Sequence, residues 1–276
     1  MFAMMEMTDA PKVGMRERIR RGLRGYSGVS AKLENVLGVE VLRVGIESPG
    51  MIKQAAFEKR IGLTIGLLRQ RGIRHLCFAY GFPYEEIEIF ARAGFAALER
   101  DALYESLACE IAVKAAVERK AAALFARRVT VCVERALLGL CANFRYVMVD
   151  IESGGAAVCR NLRRDCGVSI IEKPSQKQLA AADVALFFSQ PVRKVKLPDK
   201  CVAAAVTNKM LQSVELRRYV SAIDIEIYPK EEKPLPAEYS REILTSAAVS
   251  AGVLRGNNLI LRNIKIDERR KKSPKP

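Results

Sequence analysis

The residues best placed to do chemistry lie in a turn between a buried strand and a helix. After the apolar run Tyr146–Ile151 the chain continues as Glu152-Ser153-Gly154-Gly155-Ala156-Ala157, and apolar positions then recur three to four residues apart. Glycines here allow a tight turn, and the free amides at a helix N-terminus attract an anion. The pattern predicts a ligand site at the carboxyl edge of a sheet, around Gly154–Ala157, Glu172 and the loop after Phe188, with the Gly154–Ala157 amides facing an anion.

Other candidates for catalysis are few. His75 is the only histidine, and it stands beside Arg74 at the start of a predicted strand, which favours a structural or surface role. One histidine excludes a metal centre built on several histidines and leaves a single base for a Ser-His-Asp triad. The sequence has no P-loop, no G-x-S-x-G elbow, no H-E-x-x-H and no kinase signature. No metal site is predicted, and no catalytic residue is identified.

Two cysteines and one loop complete the candidate residues. Cys77 and Cys201 lie in predicted strands, where buried core thiols are expected, because a reactive thiol needs an exposed, electropositive setting. The loop Tyr80–Tyr84 follows the end of a strand, the place where ligands bind open α/β sheets. It is either the wall of a cleft or an ordinary strand-to-helix turn.

The elements that position the glycine turn form a compact βαβαβ unit over Arg145–Pro191. Its strands are predicted at Tyr146–Ile151, Val168–Ile171 and Val184–Phe188. The first is apolar without alternation, as expected for a parallel strand buried on both faces. The helix between the first two strands ends at Gly167, a residue type common just after a helix C-terminus. An α/β fold follows from this alternation.

Over about a fifth of the chain, this unit resembles the Rossmann NAD(P)-binding superfamily. In its G-x-G-x-x-G/A motif, amides at a helix N-terminus bind a pyrophosphate. Gly154 and Ala157 match the second and third motif positions, whereas Glu152 occupies the first. Glu172 follows Gly154 by eighteen residues, where the superfamily places an acid for the ribose hydroxyls. The resemblance implies NAD or NADP as a possible cofactor, bound by Gly154, Gly155, Ala157 and Glu172.

The predicted architecture is a parallel, doubly wound Rossmann-like sheet in two α/β lobes joined by a long helix. One continuous sheet is the competing interpretation. The segments expected along the chain are a basic, loosely packed lead (1–35), a small α/β lobe (36–100), a connecting helix (101–128), the Rossmann-like domain (129–228), a proline-rich linker (229–236), a C-terminal helix and strand (237–267) and a disordered basic tail (268–276).

Charge and cysteine usage narrow the class of protein. The net charge is +15, of which +3 falls in residues 1–24 and +4 in residues 265–276, and the rest is spread without a dense cluster. Aromatic residues do not alternate with basic ones, so solvated faces and tails are favoured over a nucleic-acid site. The seven cysteines contain no C-x-x-C pair, which favours buried thiols in a reducing cytoplasm. No signal peptide and no membrane-spanning stretch are predicted.

Three functions remain open. The favoured one is a Rossmann-like protein that binds a small-molecule or nucleotide ligand and has no identifiable catalytic machinery. The alternatives are an NAD(P)-dependent oxidoreductase with an atypical glycine turn and a basic nucleic-acid-interacting protein. No membrane partner is expected, and the oligomeric state is left open.

Overall fold

The computed structural model describes residues 1–9, 28–48, 54–205, 214–228 and 234–269. The strands are β1 (Phe2–Thr8), β2 (Val29–Val36), β3 (Val39–Glu47), β4 (His75–Phe78), β5 (Ala96–Ala97), β6 (Ala121–Arg128), β7 (Tyr146–Ser153), β8 (Ile170–Glu172), β9 (Val184–Phe187), β10 (Val195–Lys196), β11 (Val202–Ala205), β12 (Val214–Glu215), β13 (Arg218–Ile227) and β14 (Leu259–Glu268). The helices are α1 (Gln54–Gln70), α2 (Tyr84–Arg92), α3 (Asp101–Ser106), α4 (Ala108–Ala115), α5 (Val131–Asn143), α6 (Gly155–Cys166), α7 (Gln176–Leu179) and α8 (Arg241–Ser250), and a 3₁₀ turn covers Gly256–Asn258.

The chain divides into two compact units. The first unit comprises Met1–Glu99 with Glu232–Val253, and the second comprises Arg100–Glu231 with Leu254–Pro276. The first unit holds a five-stranded sheet in the order β2-β3-β1-β4-β5, in which only β2 runs antiparallel to its neighbour. Its core joins strand residues Met5 and Val44 to Phe57 of α1 and Phe90 of α2.

The second unit contains a seven-stranded sheet in the order β14-β13-β11-β9-β6-β7-β8. All neighbouring strands are parallel except β13 and β14. Starting from β6 as strand one, β8-β7-β6-β9-β11-β13 is the 3-2-1-4-5-6 order of the Rossmann fold. The rings of Phe125 on β6 and Phe187 on β9 stack with centroids 4.7 Å apart, at the point where the strand order reverses. The predicted α/β class and the Rossmann-like sheet are confirmed.

A buried carboxylate holds the N-terminal end of β6. Asp183 is 6% exposed and accepts hydrogen bonds from the backbone amides of Lys120 and Ala121 at 2.8 and 3.1 Å. The Lys200 ammonium lies 3.1 Å from its other oxygen. Burial alone would raise the pKa of Asp183, but these hydrogen bonds outweigh burial, and the pKa lies below its usual range. The central strand is therefore anchored where it enters the sheet.

The predicted connecting helix over 101–128 is wrong. Two short helices, α3 and α4, are followed by strand β6. Its first six residues, Ala121–Ala126, are all buried. The alanines of this run favour a helix by intrinsic propensity, but in a central strand they pack close against layers on both faces, and tertiary packing overrides propensity. The Rossmann-like part of the chain accordingly begins before residue 129.

The predicted loose lead over 1–35 is also wrong where the structure describes it. Phe2–Thr8 is a central strand of the first sheet, and Phe2, Ala3, Met4 and Met5 are buried. The predicted C-terminal pair falls into different units, α8 in the first and β14 in the second. Residues 10–27 of the lead, 229–233 of the linker and 270–276 of the tail lie outside the described residues.

Within the described part of the chain, no helix combines the length and the apolar character needed to cross a bilayer.

Candidate functional site

The candidate site lies at the carboxyl edge of the seven-stranded sheet, where parallel strands release their following loops on one side. Ligands of open α/β sheets bind at this edge, beside the point where the strand order reverses. Here that point lies between β6 and β9. The segments that leave the edge are Val129–Thr130 after β6, Gly154 after β7, Lys173–Ser175 after β8 and Phe188–Arg193 after β9.

The geometry of the turn between β7 and α6 requires glycine at positions 154 and 155. Gly154 precedes α6 with φ +80°, and a Cβ there would lie 3.3 Å from Val129 Cγ2. A Cβ on Gly155 would lie 2.8 Å from the Cβ of Ile151, so only glycine lets α6 approach β7 this closely. No side chain in the described part of the chain caps the N-terminus of α6, which leaves its first amides available to an anion.

The four residues predicted to bind a cofactor are brought together. Gly154, Gly155, Ala157 and Glu172 all line one cavity of about 330 Å³, which we call the α6 cavity. Its wall also includes Glu152, Arg160 and Lys173. Among the described residues, these three side chains have no ion-pair or hydrogen-bond partner of their own. The cavity therefore presents two unpaired cations and one unpaired carboxylate beside an uncapped helix N-terminus.

Glu172 is less free than the sequence suggests. Its Oε1 lies 2.7 Å from Nη1 of Arg163, and Arg163 also donates to the carbonyl of Ile170 at 2.8 Å. The guanidinium thus ties the end of β8 to α6. The second carboxylate oxygen of Glu172, Oε2, accepts no hydrogen bond from the residues that the structure describes.

The strand order changes the comparison with the dinucleotide motif. The glycine turn follows β7, the second strand of the Rossmann order, whereas the superfamily motif follows the first strand. The end of β6 and the turn after it read Arg127-Arg128-Val129-Thr130 and contain no glycine. Thr130 caps α5 by accepting from the amide of Val133 at 3.2 Å. These side chains do not fit a backbone cradle for a pyrophosphate after β6, and the carboxylate at the end of the second strand is Glu152.

A second cavity of about 230 Å³ adjoins the first, and we call it the β9 cavity. Phe125, Ala126, Pro191 and Val192 supply its apolar surface. Asp150 and Arg193 also line it, while Glu152 and Lys173 line both cavities. Lys173 holds a left-handed backbone with φ +48°, an uncommon conformation for a residue with a side chain.

One ion pair in the β9 cavity could not be seen in the sequence. Arg193 donates through Nε to Asp150 Oδ2 at 3.0 Å, and its Nη2 lies 2.9 Å from the same oxygen. Arg193 also donates to the carbonyl of Pro174. The contact joins residues 43 positions apart. The sequence does show that Asp150 and Glu152 lie two residues apart near the end of β7. Alternate residues of a strand share one face of the sheet, so this spacing predicts two carboxylates on the same face.

The remaining candidates are not among the residues that line these two cavities. Burial raises the pKa of the Cys77 thiol and of the Cys201 thiol to about 12, so both stay protonated. Cys201 lies in the core of the second unit. His75, Tyr80 and Tyr84 belong to the first unit, and Tyr80 and Tyr84 are exposed. No group of three or more acidic, histidine or cysteine residues suited to a metal ion occurs among the residues that the structure describes.

No protein-family model and no curated protein matches the sequence. Among solved structures, the chain is similar to the Δ1-pyrroline-2-carboxylate reductase of Thermococcus litoralis with NADH and L-proline (16% identity, 41% of this chain and 40% of that chain, TM-score 0.30). It is also similar to the iminosuccinate reductase of Paracoccus denitrificans with NAD⁺ (13% identity, 58% and 50%, TM-score 0.31). The aspartate transcarbamoylase of Trypanosoma cruzi with carbamoyl aspartate and phosphate gives 12% identity, 91% and 81% coverage and a TM-score of 0.31. The chain spans half or less of the first two proteins, and similarities this low assign no activity to it.

Proposed function

We propose that the second unit binds a small anionic ligand of the nucleotide or sugar-phosphate class in the α6 cavity. The observation that carries the proposal is the combination, in one cavity, of an uncapped helix N-terminus with the unpaired cations Arg160 and Lys173. Its volume of about 330 Å³ falls in the range of about 300–1,000 Å³ common for ligand pockets.

Each part of the cavity suits a different part of such a ligand. The first amides of α6, with Arg160 and Lys173, suit a phosphate, because helix dipole and side-chain charge have the same sign there. The carboxylate of Glu152 and the free oxygen of Glu172 suit hydroxyl groups, which donate hydrogen bonds to carboxylates. Binding, and no chemical step, is what these residues support.

An NAD(P)-dependent oxidoreductase is the second candidate. The Rossmann strand order and the position of Glu152 at the end of the second strand favour it. The side chains of Val129 and Thr130 after β6 argue against a dinucleotide seated in the manner of the superfamily. We therefore favour a ligand with a single phosphate group at the α6 turn.

Thermal-shift and calorimetric titrations test the proposal. Purified protein is titrated with AMP, ribose 5-phosphate, NAD⁺, NADP⁺ and inorganic phosphate at low salt. A ligand at one hundred times its Kd stabilises the folded protein by about 2.7 kcal/mol, which is readily measured. The proposal expects AMP or ribose 5-phosphate to stabilise the protein. Tighter binding of NAD⁺ or NADP⁺ than of AMP would favour the oxidoreductase, and no stabilisation by any of the five would refute both candidates.

Two arginine variants of one helix locate the ligand. Arg160→Gln removes a cation from the α6 cavity, whereas Arg164→Gln removes an arginine of the same helix that pairs with Asp165 at 2.7 Å and does not line the cavity. The first change should weaken phosphate-ligand binding about tenfold or more, the scale of a lost charge-assisted hydrogen bond. The second should leave it unchanged, and equal effects of the two would contradict the site.

A further inference from the structure

We propose that the β9 cavity binds a zwitterion of amino-acid size, that is, a small molecule that carries both an ammonium group and a carboxylate on a short apolar skeleton. This site shares Glu152 and Lys173 with the α6 cavity and differs from it in Arg193 and in its apolar lining. The proposal stands on its own observations and does not need a phosphate ligand to bind.

The wall of the β9 cavity contains two opposite charges that are not paired with each other. Glu152 and Lys173 both line the β9 cavity, yet no ion pair joins them within the described residues, and neither side chain has another partner. Because Glu152 and Lys173 do not neutralise each other, together they complement a ligand that carries both a positive and a negative charge. The ammonium group would bind Glu152, and the carboxylate would bind Lys173.

Arg193 supplies a second group for the carboxylate. Its Nε and Nη2 are held by Asp150 Oδ2 at 3.0 and 2.9 Å, and it also donates to the carbonyl of Pro174. Its Nη1 has no hydrogen bond among the described residues. The guanidinium is thus oriented by the protein and keeps one donor group for a ligand, since a planar guanidinium offers donors along more than one edge.

Size and apolar surface limit the ligand. The cavity volume of about 230 Å³ lies below the range of about 300–1,000 Å³ of pockets that hold larger ligands. Phe125 forms part of the wall, and its stacking on Phe187, with ring planes inclined by 6°, keeps that wall rigid. Ala126, Pro191 and Val192 add apolar contacts. A short aliphatic side chain would pack against these apolar residues while its two charged groups bind the charged residues of the same cavity.

The test is isothermal titration calorimetry on the full chain with three probes that share a carbon skeleton. L-norvaline carries both charges, butylamine lacks the carboxylate, and pentanoate lacks the ammonium group. We expect L-norvaline to bind at least about tenfold more tightly than either partial probe, because each partial probe loses one of the two charged contacts. Absence of L-norvaline binding, or equal binding of either partial probe, would overturn the proposal.

Charge variants assign the binding to this cavity. Glu152→Gln and Arg193→Gln should each weaken L-norvaline binding at least about tenfold. Arg217→Gln is the matched control, since Arg217 is a half-exposed arginine of the same unit paired with Asp199 at 3.2 Å. Glu152→Gln loses no internal partner, so it remains a valid test if Arg193→Gln lowers stability. Binding by both variants at wild-type strength would refute the site.

One further variant separates this proposal from the phosphate site. Arg160 lines the α6 cavity and not the β9 cavity. Arg160→Gln should therefore leave L-norvaline binding unchanged while it weakens phosphate-ligand binding. If Arg160→Gln abolishes L-norvaline binding, the zwitterion occupies the α6 cavity and the proposal is wrong.

Discussion

Replacing Asp183 by asparagine should destabilise the second unit far more than any exposed charge change. The carboxylate is buried, and it accepts from two backbone amides and from Lys200. Asparagine keeps only one acceptor oxygen, and its other terminal group is an NH₂ donor. That NH₂ would face either the amides of Lys120 and Ala121 or the Lys200 ammonium, and these groups are donors too. One or two charge-assisted hydrogen bonds are lost at about 1.5–3 kcal/mol each. We therefore expect a loss of about 2–4 kcal/mol.

Two control variants separate the possible causes of this loss. Lys200→Gln removes only an ammonium whose side chain is 57% exposed, and such partly exposed pairs contribute about 0–1 kcal/mol. Asp199→Asn removes a carboxylate that is 63% exposed, and it should change stability by less than about 0.5 kcal/mol. A large effect of Asp183→Asn beside small effects of the controls would locate the stabilisation in the two amide contacts.

Urea unfolding followed by far-UV circular dichroism, together with hydrogen exchange at Ala121, measures the effect. Because the pKa of Asp183 is lowered in the folded protein, its contribution is present above the pKa of the unfolded chain, about 3.9, and is lost as pH falls through the lower folded value. The stability gap between wild type and Asp183→Asn should thus be constant near neutral pH and shrink below about pH 4. A gap under about 1 kcal/mol at pH 7, or one that grows on acidification, would refute the reasoning.

Three further predictions concern single buried or strained groups. Cys77 and Cys201 should resist a thiol reagent at pH 8 until denaturant is added, because burial raises the pKa of both thiols to about 12; modification of either in the folded protein, followed by mass spectrometry, would contradict their burial. Tyr239→Phe should stabilise the first unit by about 1 kcal/mol in thermal unfolding, since the buried Tyr239 hydroxyl has no hydrogen-bond partner among the described residues. A loss of stability would show that the hydroxyl is hydrogen-bonded in solution. Gly154→Ala should destabilise by about 1–2 kcal/mol because of its left-handed backbone, whereas an unchanged melting temperature would mean that the turn relaxes freely.

The sequence predicted the parts of the fold that depend on local signals. The glycines at the two ends of α6 could be predicted because a positive φ favours glycine. The apolar run of β7 could be predicted because a strand buried on both faces needs apolar residues without alternation. The strand Ala121–Arg128 could not be predicted from local sequence in this way. Alanine satisfies both a helix and a tightly packed central strand, so only the neighbouring strands decide between them.

The misassigned strand also explains why the site was only partly predicted. With β6 predicted as a helix, the pattern places Tyr146–Ile151 first in the Rossmann order and gives Glu172 the position that the structure gives to Glu152. The contact of Arg193 with Asp150 joins loops far apart in the chain, and no local pattern encodes it. Pairings of this kind follow from sheet topology, which is set by the whole domain.

The side chains of Arg127–Thr130, at the end of β6 and in the turn after it, affect how easily this site changes its ligand during evolution. Where a glycine loop binds a phosphate, the donors are backbone amides, which a point mutation removes only by introducing proline and never reverses in sign. In this chain the corresponding turn carries side chains, and the charges of both cavities belong to individual residues such as Arg160, Lys173 and Glu152. One nucleotide change in the gene can therefore reverse or abolish a contact. Ligand preference in this architecture can drift quickly among related sequences while the sheet beneath stays the same.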